Sequence, residues 1–152
     1  MNQAAELELT LVDHTQALTE VSFLLDVFAT TVDELMGGAT ASVGRIAGRH
    51  MARKLPVYLS EPALAPALEA VAGNLASGFE IAYECRENGA DLHFGSCLVR
   101  TVCGQRGREI GGPLCRLFHA YLDGIVNDLI CRPVKSQIAP GAESCHASLA
   151  VR

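Results

Sequence analysis

FEIAYECRENGADLHF, Phe79 to Phe94, is the stretch whose reading decides the fold. Apolar and polar residues alternate in FEIAYECR and again in DLHF, the period of two expected of a half-buried strand. Asn88-Gly89 lies in the turn between them, and this pair tolerates the positive φ that a tight hairpin demands. Upstream the period is helical. From about Asp13, Val21, Leu24, Leu25, Phe28, Val32 and Leu35 recur on one stripe until Gly37-Gly38 stops the run. A second helix is predicted over about Ala39–Lys54, where Gly44 and Gly48 would let another backbone come close. Ser60-Glu61-Pro62 reads as a helix start with Ser60 as N-cap, and Leu64, Leu68, Val71 and Leu75 carry a third helix to about Gly78.

Downstream, residues 104–112 read as a polar, glycine-rich loop, and Gly111-Gly112-Pro113 launches a fourth helix with Leu114, Phe118, Tyr121, Leu122, Ile125 and Leu129 on its apolar stripe. Pro133 ends it, and VKSQI (Val134–Ile138) and CHASLAV (Cys145–Val151) alternate as a closing hairpin. The expected fold is α+β: a small antiparallel sheet of two hairpins with about four helices packed largely on one face. Residues 1–152 read as one domain, with 1–12 as an N-terminal lead-in.

Composition narrows the function. A chain of 152 residues is long enough to bury a core without staples. Charged residues make up only 19% and mean hydropathy is +0.23, so more apolar surface exists than a monomer easily hides; a dimer or an apolar ligand cavity is expected. A net charge of −5, no Trp and 5% aromatics argue against a nucleic-acid face. The longest apolar run, Val21 to Phe28, is broken by Asp26, so no membrane span is expected. MNQAAELE lacks the basic start of a secretory signal, which makes a reducing, cytoplasmic setting the expectation for the six cysteines.

Five of those cysteines, Cys97, Cys103, Cys115, Cys131 and Cys145, fall between Ser96 and Leu149. Cys115 opens the fourth helix, where free N–H groups and the macrodipole favour a thiolate, and His119 lies one turn on along the same side. Cys97, Cys115 and Cys145, with Cys103 or His119 as a fourth ligand, are the candidate metal ligands. Cys131, at the apolar end of the fourth helix, and Cys85, on a strand, read as packing residues. His14, His50, His93 and His146 read as surface residues, and Asp123 and Asp128 as a solvated face. GQRGR, Gly104 to Arg108, reads as an anion contact or a flexible lid.

Two regions carry a resemblance. TVDELMGGATASVGRIAGRH, Thr31 to His50, resembles the helix pair of 4-vinyl reductase-type, or hydrocarbon-binding, domains. PLCRLFHAYLDGIV from Pro113, CRPV from Cys131 and APGAESCHASL from Ala139 resemble that family's C-terminal half, with its closing GxxxC at Gly141 to Cys145. The resemblance covers roughly residues 20–152. It implies an α+β, usually dimeric domain with a pocket for a small apolar or aromatic ligand, found in bacteriochlorophyll biosynthesis proteins and aromatic-sensing activators. It further implies a zinc site near the pocket, made of cysteines and a carboxylate; Cys115 and Cys145 match two of the cysteines, Cys97 falls about where the carboxylate would, and Gln137 stands where a further cysteine is expected. SCLVR from Ser96, PLCRLFH from Pro113 and the late Cys145 are also similar to the C-terminal domain of iron–sulfur-sensing helix-turn-helix repressors, which implies a cluster, as 4Fe–4S, instead of zinc.

Three functions follow as alternatives: a sensor module carrying a cluster or zinc, an enzyme or maturation factor in tetrapyrrole or cofactor biosynthesis, and a metal-free dimeric scaffold. No Ser/His/Asp order, HExxH or phosphate-cradling glycine loop favours the enzyme. The expected ligand pocket lies where the first helix, through Phe28, Val32 and Leu35, meets Phe118, Tyr121, Leu122 and Ile125 of the fourth. Tyr121 or His119 would supply its polar contact.

Overall fold

The structure, a computed structural model, describes residues 9–152; most of the lead-in therefore lies outside the described residues. The elements run α1 (Leu11–Met36), α2 (Thr40–Ala52), α3 (Leu64–Leu75), β1 (Phe79–Arg86), β2 (Gly89–Cys97), α4 (Leu98–Gln105), α5 (Pro113–Ile130), β3 (Val134–Pro140) and β4 (Cys145–Val151). The fold is α+β, as the alternating periods predict, with five helices among the described residues rather than about four. The addition is α4, which occupies part of the expected loop. It is eight residues long, too short to display a period, and is held by burying Val99, Val102 and Cys103.

The hairpin at Asn88-Gly89 forms with Arg86 opposite Gly89, and the strands are all antiparallel in the order β1-β2-β4-β3. The last strand thus lies inside the sheet, paired to β2 on one side and to β3 on the other. One sheet face carries Leu92, Phe94, Ala147 and Leu149 into a core that α3 meets with Ala67, Leu68 and Val71, and α5 with Leu122, Ile125 and Val126.

Helix α5 is buried on more than one side: Ala120 and Gly124 are enclosed as fully as Leu122 and Ile125. Its second flank is covered by α2, and glycine makes that approach possible. A Cβ on Gly48 would stand 2.0 Å from the Tyr121 carbonyl oxygen, one on Gly44 2.6 Å from that of Leu117, and one on Gly124 2.3 Å from that of Arg45. Gly44 and Gly48 therefore serve helix packing, as their spacing predicts, and the partner backbone is α5 of the same chain.

Helix α1 starts earlier than its apolar stripe. Thr10 and Asp13 form a reciprocal capping box, the Thr10 hydroxyl accepting the Asp13 N–H at 3.2 Å and the Asp13 carboxylate accepting the Thr10 N–H at 2.8 Å. Gly37 closes it in the left-handed region at φ 59°. The stripe itself corrects the expectation: Val21, Leu24, Phe28 and Leu35 are exposed, and the buried residues of α1 are Ser22, Asp26 and Ala29. Ser60 is not the N-cap of α3. The helix begins at Leu64, because the turn around Pro62, in which the Ala63 N–H donates to the Glu61 carbonyl at 2.8 Å, delays it.

Gly48→Ala is expected to destabilise the protein by about 1–3 kcal/mol or more, since the clash is with backbone that no rotamer change relieves. Gly73→Ala, in α3 with nothing within 4 Å of the added carbon, should be neutral or slightly stabilising. Urea midpoints of the two variants check this.

Candidate functional site

A cavity of about 450 Å³ lies where the helices meet beside the edge of the sheet. Helix α5 supplies Leu114, Leu117, Phe118 and Tyr121; α4 supplies Leu98, Val99 and Val102; α2 supplies Gly44 and Ala47. Leu75 and Phe79 close one end, and Ser22 and Leu25 bring in α1. Phe79 and Phe118 stack with centroids 4.4 Å apart and planes 8° from parallel, which gives the wall a flat aromatic face. The polar lining residues are Ser22, whose hydroxyl donates to the Leu18 carbonyl at 2.7 Å, and Tyr121, whose phenol burial holds neutral by raising its pKa.

Of the expected pocket residues, Phe118 and Tyr121 line this cavity. Leu122 and Ile125 do not; they face the sheet and belong to the packed core. Phe28 is 61% exposed on the outer side of α1. The cavity therefore lies on the α2–α4 side of α5. The apolar stripe of α1 could not reveal this, because α1 is oriented by a charge.

That charge is Asp26, 1% exposed, whose carboxylate accepts from Arg106 Nε at 3.1 Å and Arg108 Nε at 3.2 Å. Arg106 also lies over the Phe23 ring at 5.0 Å. The anion met by GQRGR is thus the chain's own carboxylate, and the segment straps α1 onto the cavity. Asp33 makes a second tie: it accepts from the Thr40 hydroxyl at 2.8 Å and Arg116 Nη2 at 2.7 Å, and these partners hold its pKa below the ordinary value.

Four of the candidate metal ligands, Cys97, Cys103, Cys115 and Cys145, stand in one neighbourhood beside the cavity. The Sγ atoms of Cys103 and Cys115 are 4.0 Å apart, and Cys97 packs against both apolar clusters, the one that holds Cys103 and Cys115 and the one that holds Cys145. Burial raises the Cys97 pKa, and burial with the neighbouring Cys115 pushes Cys103 up to about 12. Arg100 Nη1 donates to Cys145 Sγ at 3.2 Å, while its Nη2 donates to the Gly141 carbonyl at 2.9 Å and also to that of Ala142. The soft thiol donors suit zinc or an iron–sulfur cluster. Among the described residues, however, no three His, Cys, Asp or Glu side chains are gathered closely enough to hold a metal ion. Cys131 and Cys85 are exposed, contrary to their reading as packing residues. Cys131 stands past the end of α5 as its left-handed cap at φ 55°, and Cys85 is near the end of an outer strand.

His119 lies one turn along α5 from Cys115. Its ring meets Phe94 and Phe118 edge-on, at 5.0 and 5.6 Å, and burial lowers its pKa to about 4. Asp123, one turn further, is 3% exposed, not a solvated residue. Its Oδ2 accepts the Ser136 N–H at 3.0 Å, and burial raises its pKa against the pull of that bond and of Arg45 and Lys135. Asp128 does face solvent in part, 3.6 Å from Arg53. Residues missed by sequence reasoning are thus Arg100, Arg45 and Ser136; only tertiary proximity marks them.

No protein-family model matches the chain, and no curated protein matches it. Among solved structures, it is similar to the phenol-responsive sensory domain of the transcription activator PoxR, crystallised with phenol. The two share 12% identity at a TM-score of 0.54, over 86% of this chain and 73% of that one. At that identity the likeness establishes a shared fold and nothing finer. No described helix is long and apolar enough to cross a membrane.

The neutral His119 has a measurable consequence. Its folded pKa of about 4 lies below the ordinary 6.5, so the unfolded chain takes up the proton first as pH falls. Stability from this group is present above pH 6.5 and lost as pH falls through 4, by up to about 3 kcal/mol. Asp123, shifted upward, acts with the opposite sign. Urea midpoints across this window should therefore slope less in His119→Gln than in the wild type, whatever the variant's absolute stability.

Proposed function

We propose that this chain is a small-molecule-binding sensor module of the 4-vinyl reductase type, and that its cavity takes a small apolar or aromatic ligand. The observation that carries the reading is the cavity: an aliphatic wall with one stacked phenylalanine pair and one half-buried phenol, of a size typical of ligand sites. The fold shared with a phenol-responsive sensory domain supports it. Such a wall recognises a planar ring by burial and stacking, and the Tyr121 hydroxyl would donate to or accept from a single polar substituent.

The same reading includes a homodimer formed through α1. Val21, Leu24 and Phe28 are 63%, 56% and 61% exposed and lie along one side of a helix whose Leu25 also lines the cavity. A second copy seated on that side would remove the apolar surface from water and close the cavity's α1 flank. Calorimetric titration with phenol and 1-naphthol should show saturable binding that Leu117→Trp, which fills the cavity, weakens at least tenfold while leaving the dimer intact. Phe28→Glu should shift sedimentation toward the monomer. Equal binding by wild type and Leu117→Trp would refute the cavity, and a monomeric wild type would refute the dimer.

A second component of the proposal is a zinc ion or iron–sulfur cluster held by Cys97, Cys115 and Cys145 with Cys103. Its support is the convergence of four reduced thiols beside the cavity, with Arg100 on one of them. His119, one turn along α5 from Cys115, is the alternative fourth ligand. The thiols would have to draw together to chelate, so the bound group would tie α4, the start of α5 and β4 to one another. Anaerobically purified protein should contain iron or zinc, which Cys115→Ala loses and Cys131→Ala keeps. Absence of both metals, with all six thiols reacting freely, would remove this component.

A further inference from the structure

Leu92 and Phe94 of β2, and Ala147 and Leu149 of β4, point into the core. The residues that alternate with them, His93 and His146, therefore stand on the outer face of the sheet. These two histidines are register partners, and their rings lie 4.6 Å apart with planes tilted by 44°. β2 and β4 are the two central strands, so each histidine backbone is held by a paired strand on either side. The same row continues with Ala82 on β1 and Ala139 on β3, both exposed. Flanked only by methyl groups in that row, the rings are open to water: His146 is exposed and His93 half-buried.

The tilt of the rings matters because imidazole lone pairs lie in the ring plane. Parallel rings keep their lone pairs parallel, whereas intersecting planes let one from each ring meet at a point. A tetrahedral zinc ion stands about 2.0–2.1 Å from an imidazole nitrogen, which places two such nitrogens about 3.3 Å apart. Side-chain rotation brings rings at this spacing to that distance without moving either strand. The charge beside the pair is negative. Glu80 and Glu84 stand on either side of Ala82 on the exposed side of β1, and no ion pair among the described residues engages them or the two rings. A Cβ on Gly95 would meet Glu80 Oε2 at 2.9 Å, so the missing side chain there lets this carboxylate lean over β2, two residues beyond His93. Of the cations on the face, Arg86 is paired with Asp91, and Lys135 lies opposite Ala150, four residues along β4 from His146. The balance at the pair favours a cation.

We propose that His93 and His146 chelate a borderline-soft divalent transition metal, zinc or nickel, on the outer face of the sheet. Imidazole selects such ions over magnesium and calcium, which prefer oxygen. No third His, Cys, Asp or Glu is gathered with the pair among the described residues, so water fills the remaining positions and the ion exchanges freely. The site stands independently of the thiol cluster, because Cys145, next in the chain to His146, is turned into the core. It is independent of the apolar cavity as well, whose lining includes no residue of β2 or β4.

Calorimetric titration of the full chain with nickel chloride tests it, with magnesium chloride as the control. Saturable nickel binding is expected in the wild type and none of magnesium. His93→Gln and His146→Gln should each weaken nickel at least tenfold, because each leaves a single imidazole without its chelate partner. The same loss is expected in the Cys115→Ala background, which separates the pair from the thiols. Neither ring is part of the core, so both variants should keep the metal-free urea midpoint. Nickel should raise that midpoint in the wild type and not in the variants, since only the pair ties β2 to β4 through the ion. Absence of saturable nickel binding by the wild type would overturn the proposal. So would affinities within threefold in the wild type and both glutamine variants, which would leave the two rings a packing contact, or a bound-nickel spectrum wholly of thiolate charge transfer.

Discussion

Everything in this molecule depends on the distance between α2 and α5. Three glycines, Gly44, Gly48 and Gly124, bring the backbones so close that a methyl group at any of them would meet a carbonyl oxygen of the facing helix. Contact of this kind gains dispersion along the whole crossing and admits weak Cα–H···O bonds, but tolerates no side chain at the crossing. Since α5 is already packed on the sheet, seating α2 directly on it makes α5 the central element, buried on both flanks. Two hollows of the described residues then follow. One opens where the larger side chains of α5 emerge toward α4, and the other where its polar turn emerges toward β3.

The position of α1 has a different cause. An apolar stripe is free to pack wherever it finds surface, but a buried carboxylate must find cations, and Asp26 finds two arginines on the segment between α4 and α5. This pair, together with Asp33 on Arg116, fixes which side of α1 faces the body of the protein. The outcome reverses what hydrophobicity alone would choose, and leaves Val21, Leu24 and Phe28 facing outward. The helix is therefore specified by two kinds of surface at once: a polar one that docks it to its own chain and an apolar one available to another.

The thiols show how a neighbourhood differs from a site. Cys97, Cys103, Cys115 and Cys145 come from the end of β2, α4, the start of α5 and β4, and the antiparallel insertion of β4 beside β2 is what brings the last of them near the others. In the apolar surroundings of Cys97 and Cys103 the protonated form is favoured, whereas Arg100 offers Cys145 a cationic donor. The cluster thus combines two sulfurs held neutral by burial with one that accepts a guanidinium hydrogen bond.

The sequence by itself determined the elements that depend on local periodicity and turn chemistry. The period-two runs around Asn88-Gly89, the closing hairpin, the stop at Gly37 and the glycine spacing of α2 could all be read directly, because each is set by residues within a few positions of one another. So could the grouping of Cys115 with a helix start. Tertiary structure alone decided the rest. It placed β4 inside the sheet, made a helix of Leu98–Gln105, turned the apolar stripe of α1 outward, and buried Asp123 beside Ser136 and His119. The physical reason is the same in each case: partners far apart in the chain, Asp26 with Arg106 and Arg108, Asp123 with Ser136, Arg100 with Cys145, satisfy charges and hydrogen bonds whose cost a hydrophobic pattern does not express.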